Sequence, residues 1–251
     1  MNFFLISLMA TMLLSACGGG GGGGGSAIPT STAPSPAEGI WNGTTNTNRT
    51  ASGVVLDDGT FYVFYTRAFS SSVAGVLQGA TSASNGTFTS ANAKDFNFGD
   101  GIGVVNVNLS GSYSPKTTLT GSAVYGGTLG TSVFSTTYSS TYDQTPSLTA
   151  LAGIFVGQVV TSAGVENANL TVGINGVISG TGASGCQVSG TAAPRSRGNV
   201  YNFTISFGAF PCLFANQTFT GAGILNSTGR TLYAAAPNAA RTDGIMFIGT
   251  K

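Results

Sequence analysis

From Gly39 onward the chain repeatedly alternates apolar with polar residues, and this alternation restricts it to β-structure. Side chains of a strand point alternately to opposite faces, so the pattern predicts antiparallel strands with one buried and one solvated face. No later stretch keeps a helical period, and at most one helical turn is predicted, from Ser147 to Leu151. The predicted fold class is all-β. The residues predicted to face a core are Val105, Val107, Leu109, Gly111 and Tyr113, then Leu170, Val172 and Ile174, and finally Tyr201, Phe203, Ile205 and Phe207.

Two dipeptides between such runs, Asp58-Gly59 and Asn175-Gly176, predict tight hairpins. Both residues of an Asp-Gly or Asn-Gly pair tolerate the positive φ angles that the commonest two-residue hairpin turns require.

The two halves of this region resemble each other. Residues 39–43, GIWNG, recur as residues 153–157, GIFVG, and Gly59 and Gly176 follow at similar distances. Residues 119–123, LTGSA, have a counterpart in residues 219–223, FTGAG. These echoes indicate a duplicated unit, with one β domain over residues 39–144 and a second over residues 145–251. Each domain has room for about six to eight short strands, so two tandem antiparallel barrels or sandwiches are predicted.

The N-terminus carries a separate signal. Residues 3–16 are apolar, which suits a signal-peptide core but is shorter than the about 20 residues of a membrane span. The segment ends in Leu14-Ser15-Ala16-Cys17, which resembles the lipobox of bacterial lipoproteins. The resemblance implies that residues 1–16 are a cleaved signal peptide and that Cys17 receives a diacylglycerol and usually a further acyl chain. No Lys or Arg lies between Met1 and the apolar segment, which departs from that family, and an ordinary secretory signal with an incidental Cys17 is the alternative.

A flexible tether is predicted after Cys17. Eight consecutive glycines cannot repay the entropy of ordering, and three prolines follow before residue 38. Residues 17–38 are therefore expected to form a disordered linker between a lipid anchor and the β domains. In Gram-negative lipoproteins an aspartate after the cysteine favours inner-membrane retention. Because Gly18 occupies that position, the resemblance implies an outer-membrane anchor that faces either the periplasm or the cell surface.

The opening GIWNG also resembles the first strand of calycin barrels such as lipocalins and avidins. The C-terminal domains of bacterial surface lipoproteins of the transferrin-binding and factor-H-binding types are similar small barrels. Their chains often end in a Phe/Gly-rich strand like residues 244–249, GIMFIG. In such barrels Trp41 and Phe155 are expected to close one end. No ligand or partner is implied by these few residues.

The charge composition excludes one class of partner. Only 7% of residues are charged, nine Lys/Arg nearly cancel eight Asp/Glu, and there is no histidine. Nucleic acid is not an expected partner, because the basic surface that neutralises phosphates is missing. Arg195 and Arg197 form the only basic cluster. They are predicted at a loop tip, either as a solubilising turn or as a contact for an anionic partner or head group.

The same composition argues against catalysis. Without histidine a Ser-His-Asp triad cannot form, and paired carboxylates are the remaining acid–base device. Most acidic residues adjoin glycines in predicted turns or end the tether, which leaves Asp95, Asp143 and Glu166 with no spacing that suggests a pair. The chain is therefore expected to be no enzyme and to need no cofactor.

Cys186 and Cys212 lie in the second half, and an oxidising compartment favours a disulfide between them over two free thiols. On the chain-entropy model such a bridge contributes about 3–4 kcal/mol. A metal site is not predicted, because metal ligation needs more partners than two cysteines.

These features favour a non-enzymatic envelope lipoprotein. Its membrane-anchored β domains are expected to bind a ligand or partner, a protein or host molecule, as a surface antigen or adhesin does. The alternatives are a structural or assembly lipoprotein of the envelope and, third, a glycan-processing enzyme.

Overall fold

The structure is a computed structural model that describes residues 35–251. The signal peptide, Cys17 and the tether up to residue 34 lie outside the described residues. The described chain folds into two closed antiparallel barrels of eight strands each, so the all-β prediction with two tandem barrels is confirmed. Barrels form rather than sandwiches because the first and last strands of each half pair with each other.

The first barrel has up-and-down order, and a short fifth strand, β5, lies outside its ring. Strand β1 pairs with β9, strand β4 pairs with β6, and β5 pairs only with β6. The strands are β1 Gly39–Thr45, β2 Thr50–Val55, β3 Thr60–Thr66, β4 Val73–Ala80, β5 Ser82–Ser84, β6 Thr87–Asn97, β7 Gly103–Ser114, β8 Thr118–Tyr125 and β9 Thr131–Ser139.

The second barrel is formed by consecutive strands, with β10 paired to β17. These strands are β10 Gly153–Thr161, β11 Gly164–Val172, β12 Val177–Gly182, β13 Gln187–Pro194, β14 Tyr201–Phe207, β15 Thr218–Leu225, β16 Thr231–Pro237 and β17 Gly244–Thr250. A short 3-10 helix, Ser140–Asp143, and the helical turn α1, Leu148–Leu151, connect the barrels, and a further 3-10 turn, Gly127–Leu129, joins β8 to β9. The predicted helical turn is therefore confirmed.

The alternation of residues predicts most inward positions correctly. On β7 and β14 the apolar residues are buried or half-buried and most of the polar residues between them are exposed. Ile174 is an exception, because β11 ends at Val172 and the isoleucine lies 77% exposed in the following turn. The hairpins form at the predicted places, but only Gly59 and Gly176 adopt positive φ angles, at 82° and 80°. Asp58 and Asn175 do not, so these turns are not the two-residue type that the dipeptides suggested.

The repeated motif occupies equivalent positions in the two barrels. Both copies form the first strand, and Gly43 and Gly157 both lie against the backbone of the last strand. A Cβ added at Gly43 would overlap the carbonyl oxygen of Ser135, and one added at Gly157 would overlap that of Ile248. Barrel closure therefore requires glycine at both positions. Duplication as the origin of this equivalence stays a prediction.

Two details differ from the sequence analysis. Residues 119–123 lie on β8, the seventh strand of the first ring, whereas residues 219–223 lie on β15, the sixth strand of the second. The similarity between residues 119–123 and 219–223 therefore does not identify equivalent strands. In addition, residues 35–38 are not part of a disordered tether. Ala37 is buried under Trp41, and the Ser35 amide donates to the Asp57 carbonyl at 2.8 Å, so this segment packs on the first barrel.

The outer faces of the two barrels pack against each other through a third apolar core. It combines outward side chains of β1–β4 and β6 with those of β10 and β15–β17, and burial of one such side chain contributes about 1.5–3 kcal/mol. Its members include Ile40, Tyr62, Phe64, Phe96 and Phe98 from the first barrel, Tyr142 from the 3-10 helix between the barrels, and Ile224 and Met246 from the second barrel. The barrels are therefore parts of one compact unit.

Substitution of Gly43 tests the closure argument. We expect Gly43→Ala to lower the free energy of unfolding by about 2 kcal/mol or more, because the new methyl group must push β1 away from β9. Gly126→Ala is the matched control, since Gly126 has a φ of −73° and nothing within 4 Å of the added Cβ. Urea unfolding followed by circular dichroism measures both, and equal stability of the two variants would contradict the argument.

Candidate functional site

An aromatic residue closes one end of each barrel. Trp41 points into the first barrel, donates its indole N–H to the Ala37 carbonyl at 3.1 Å, and has the Tyr138 ring edge-on at 5.4 Å. Phe155 is fully buried at the corresponding point of the second barrel, next to Leu151. Both residues therefore lie where the sequence analysis expected them.

The first barrel is not filled above Trp41. A cavity of about 270 Å³ extends from this tryptophan toward the opposite end of the barrel. Its rim is formed by exposed loop residues, among them Thr47, Ala68, Ile102 and Leu129. Its wall is apolar and includes Val55, Phe61, Leu77, Phe88, Leu109, Leu119 and Ala123. The barrel thus has one closed end and one end that opens to solvent.

Three polar side chains meet in this apolar wall. Asp95 on β6 is 2% exposed, and its two carboxylate oxygens accept hydrogen bonds from Tyr65 on β3 at 2.6 Å and from Tyr125 on β8 at 3.0 Å. Space for the Tyr65 hydroxyl exists because residue 75 is a glycine, whose missing Cβ would overlap that hydroxyl. We call Asp95, Tyr65 and Tyr125 the carboxylate cluster.

A β-bulge in β6 turns Asp95 inward. The register of β6 against β7 shifts between Ser90 and Ala93, where one extra residue is accommodated. Phe88 and Ser90 are buried before the bulge, and Ala93, Asp95 and Asn97 are buried after it. Strict alternation from Phe88 would have placed Asp95 on the outer face. Sequence analysis therefore left this residue unexplained, and no local signal identified the bulge.

The surroundings of the cluster shift its pKa values. Burial raises the pKa of Asp95 to about 6, although the hydrogen bonds from Tyr65 and Tyr125 and the charge of Arg49 act in the opposite direction. Burial and the neighbouring carboxylate raise the pKa of both tyrosines, so both phenols stay protonated and donate. At pH 7.5 Asp95 is therefore an ionised carboxylate inside an apolar barrel.

The two arginines at the rim of the cavity contact Asp100 and not Asp95. Arg49 donates to Asp100 at 2.9 Å and to the Thr66 carbonyl at 3.0 Å, with its guanidinium 5.5 Å from the centre of the Tyr65 ring. Arg67 approaches the same Asp100 carboxylate at 3.4 Å. Among residues 35–251 no ion pair within 4.0 Å includes Asp95.

The second barrel encloses a cavity of about 390 Å³ with a mostly apolar wall. Glu166 lies at its rim and accepts the Ser184 amide at 2.8 Å. The fifth strand of this ring, β14, directs only Tyr201, Phe203, Ile205 and Phe207 inward, and all four are buried. In the first ring the fifth strand is β6, which carries Asp95. A fully buried carboxylate on the fifth strand is therefore a property of the first barrel, whereas the second barrel carries the half-buried Glu166 on β11, in the same inward register as Ala168 and Leu170.

The predicted disulfide between Cys186 and Cys212 is confirmed, with the Cα atoms 4.5 Å apart. It joins the loop before β13 to the loop between β14 and β15, beside the rim of the second cavity. Phe207, Phe214 and Phe219 pack against one another beneath it at centroid distances of 4.8 to 5.4 Å.

Arg195 and Arg197 contact carboxylates of the first half of the same chain. Arg195 lies 2.6 Å from Asp57 and 3.3 Å from Asp58, and Arg197 pairs with Glu38. The sequence analysis left open a solubilising turn or a contact for an anionic partner. In the structure the anionic groups belong to residues before β1 and in the β2–β3 turn.

Of the other carboxylates that sequence analysis singled out, Asp143 pairs with Lys116 at 2.6 Å, and Glu166 lies in the second barrel, away from Asp95. Within the described part of the chain no three His, Cys, Asp or Glu side chains come together as a metal site would require. Residues 35–251 also include no helix with the length and hydropathy needed to cross a membrane.

Comparisons with known proteins give no family for this chain, since neither a family model nor a curated protein matches it. Solved structures with some similarity exist. A mutant of the vaccine antigen transferrin binding protein B from Haemophilus parasuis aligns over 87% of this chain and 77% of its own, with 9% identity and a TM-score of 0.29.

Two further structures match at a similar level. A candidate outer membrane protein from Bacteroides fragilis aligns over 85% of this chain and 96% of its own, with 15% identity and a TM-score of 0.27. Transferrin binding protein B from Neisseria meningitidis aligns over 81% and 66%, with 9% identity and a TM-score of 0.28. At this level the likeness assigns no ligand, partner or location to this chain.

The pKa of Asp95 leads to a stability prediction. A rise from 3.8 to about 6 means that the folded chain binds this proton more tightly than the unfolded chain. The contribution of Asp95 to stability is therefore lost as the pH rises from about 4 through 6, and its ionisation costs about 3 kcal/mol at pH 7.5. We expect Asp95→Asn to raise the free energy of unfolding by up to this amount at pH 7.5 and by much less at pH 4.

Urea unfolding at the two pH values measures this difference. Asp143→Asn is the control, because Asp143 pairs with Lys116 and its pKa is lowered, so that its loss gives no stabilisation. A destabilised Asp95→Asn chain at pH 7.5 would contradict the prediction.

Proposed function

We propose that this chain is a lipid-anchored envelope protein that binds a small molecule inside its first barrel and catalyses no reaction. The proposal is carried by one observation, the unfilled apolar cavity between Trp41 and the loop rim, into which a cluster of polar groups projects. Apolar pockets with a few convergent polar groups and a perturbed pKa are typical of ligand sites. A cavity of about 270 Å³ suits a ligand with a single aromatic ring or a short alkyl chain.

The location proposed for this binding is the outer membrane, with Cys17 as the anchor. It rests on the lipobox Leu14-Ser15-Ala16-Cys17 and on the tether that follows it. Two or more acyl chains hold a protein stably on a bilayer, whereas one chain binds reversibly. The barrels would then present their rims to the periplasm or to the cell exterior.

The anchor is tested by Cys17→Ser. We expect this variant to lose incorporation of labelled palmitate, and either to be cut elsewhere and leave the membrane fraction or to keep its apolar signal peptide uncut. Fractionation and mass spectrometry of the purified chain measure both effects. Unchanged processing and unchanged membrane association would contradict the anchor without affecting the barrel proposal.

The ligand site is tested by filling each cavity separately in the full-length Cys17→Ser chain. Ala123 lines the first cavity and Ala168 lines the second. With 2-phenylethanol as a neutral probe, Ala123→Leu is expected to weaken binding at least tenfold, whereas Ala168→Leu leaves the change in Trp41 emission intact. Trp41 is the only tryptophan and lies in the first cavity, so its fluorescence reports on that barrel.

Calorimetry provides a second measurement of binding, and the melting temperature of each variant establishes that it is folded. Ser90→Leu is an alternative filling variant at another wall position of the first barrel. Absence of saturable binding to the parent chain by any probe, or unchanged binding in folded Ala123→Leu and Ser90→Leu chains, would overturn the proposed site.

A further inference from the structure

We infer that the first barrel selects ligands with a protonated amine, which binds the Asp95 carboxylate while an aromatic or aliphatic body fills the cavity below it. This inference rests on the proposed function and specifies the chemical class of its ligand. Three features of the site lead to it: the free acceptor capacity of Asp95, its lack of an ion-pair partner among the described residues and the contrast with the second barrel.

Asp95 has acceptor capacity that the protein does not use. An ionised carboxylate offers about four lone-pair sites, and the bonds from Tyr65 and Tyr125 occupy one on each oxygen. The side chain lines the cavity, so further donors can reach it only from inside the barrel. An ammonium group carries three donors and no acceptor, which matches this need better than a hydroxyl group does.

Asp95 itself favours a cation over an anion, although Arg49 and Arg67 against Asp100 leave the rim with one net positive charge and Arg49 also acts on Asp95. Arg49 and Arg67 share the Asp100 carboxylate at the rim, and Arg49 also donates to the Thr66 carbonyl. Asp95 has no such partner among the described residues, although it lies deeper and is 2% exposed. Burying an unpaired charge is costly, and a cationic ligand would offset that cost. An anionic head group would instead add a second negative charge beside Asp95.

The second barrel shows that this carboxylate is not needed to form an eight-stranded ring. Its corresponding strand β14 has four buried apolar side chains facing inward. In the first barrel an inward bulge, a glycine at position 75 and two tyrosine hydroxyls all accommodate Asp95. Asp95 is therefore not required for the barrel to form and does not stabilise it, so we assign this carboxylate to ligand recognition.

The positions of these groups also fix the orientation of the ligand. Asp95 and Tyr125 belong to the ends of β6 and β8 nearest the rim, whereas Trp41 lies at the closed end. The apolar body would enter first and contact Phe61, Phe88 and Trp41, with the amine behind it at the level of Asp95. A ligand bound this way changes the emission of Trp41 directly.

Three probes with one body test the inference at pH 7.5 in the full-length Cys17→Ser chain: 2-phenylethylamine, 2-phenylethanol and 3-phenylpropionate. The amine is expected to bind at least tenfold more tightly than the alcohol, and the carboxylate most weakly. In Asp95→Asn the preference for the amine is expected to disappear, while the affinity for the alcohol changes less than threefold. Trp41 fluorescence and calorimetry measure all nine combinations with the control below.

Asp243→Asn is the control, because Asp243 lies outside both cavities and bonds to Ser162. It is expected to keep the full preference for the amine. Equal affinity for amine and alcohol in the parent chain, or a preference that survives in folded Asp95→Asn, would overturn the inference and leave the proposed function standing. If Asp95 served only to hold the two tyrosines, the selectivity would be the same in both variants.

Discussion

Closure of each sheet onto itself is the constraint on which the rest of this structure depends. Pairing of β1 with β9, of β4 with β6 and of β10 with β17 leaves no free edge in either ring, so every strand of the two rings has backbone partners on both sides. The first ring is closed on its other side by only three residue pairs between β4 and β6. One of these pairs is Leu77 with Asp95, so the most unusual residue of the interior lies at the shortest seam of the ring.

At this position the backbone and the side chain of Asp95 have different roles. Its backbone helps to close the barrel, while its side chain places an ionisable group in an apolar space with two phenols for support. A carboxylate in such surroundings lowers stability at neutral pH, and proteins commonly accept such costs at binding sites. The second ring has no carboxylate on its fifth strand, and its larger cavity carries Glu166 at a disulfide-linked rim.

The sequence was informative where structure is local or periodic. Val107 and Leu109 are buried as alternation requires, Gly59 and Gly176 mark real turns, and the GIWNG and GIFVG segments form matching strands. The sequence was uninformative where one extra residue reverses the inward and outward faces of a strand, and where contacts join segments that are distant along the chain. The bulge after Ser90 reverses the faces of β6, and Arg195 meets Asp57 from 138 positions away along the chain. Neither the carboxylate cluster nor the contact between the barrels could therefore be derived from spacing.

The packing of the barrels also affects the two copies of the motif differently. Ile40 and Ile154 occupy the same place in GIWNG and GIFVG, yet Ile40 is 3% exposed beneath the other barrel and Ile154 is 60% exposed to solvent. Each barrel contributes a different set of strands to the contact, so no twofold axis relates the halves. The closing glycines meet the same steric requirement in both barrels, whereas outer residues such as Ile40 and Ile154 have different surroundings. Likeness between the halves should thus persist at the glycines of the seams and fade on the outside.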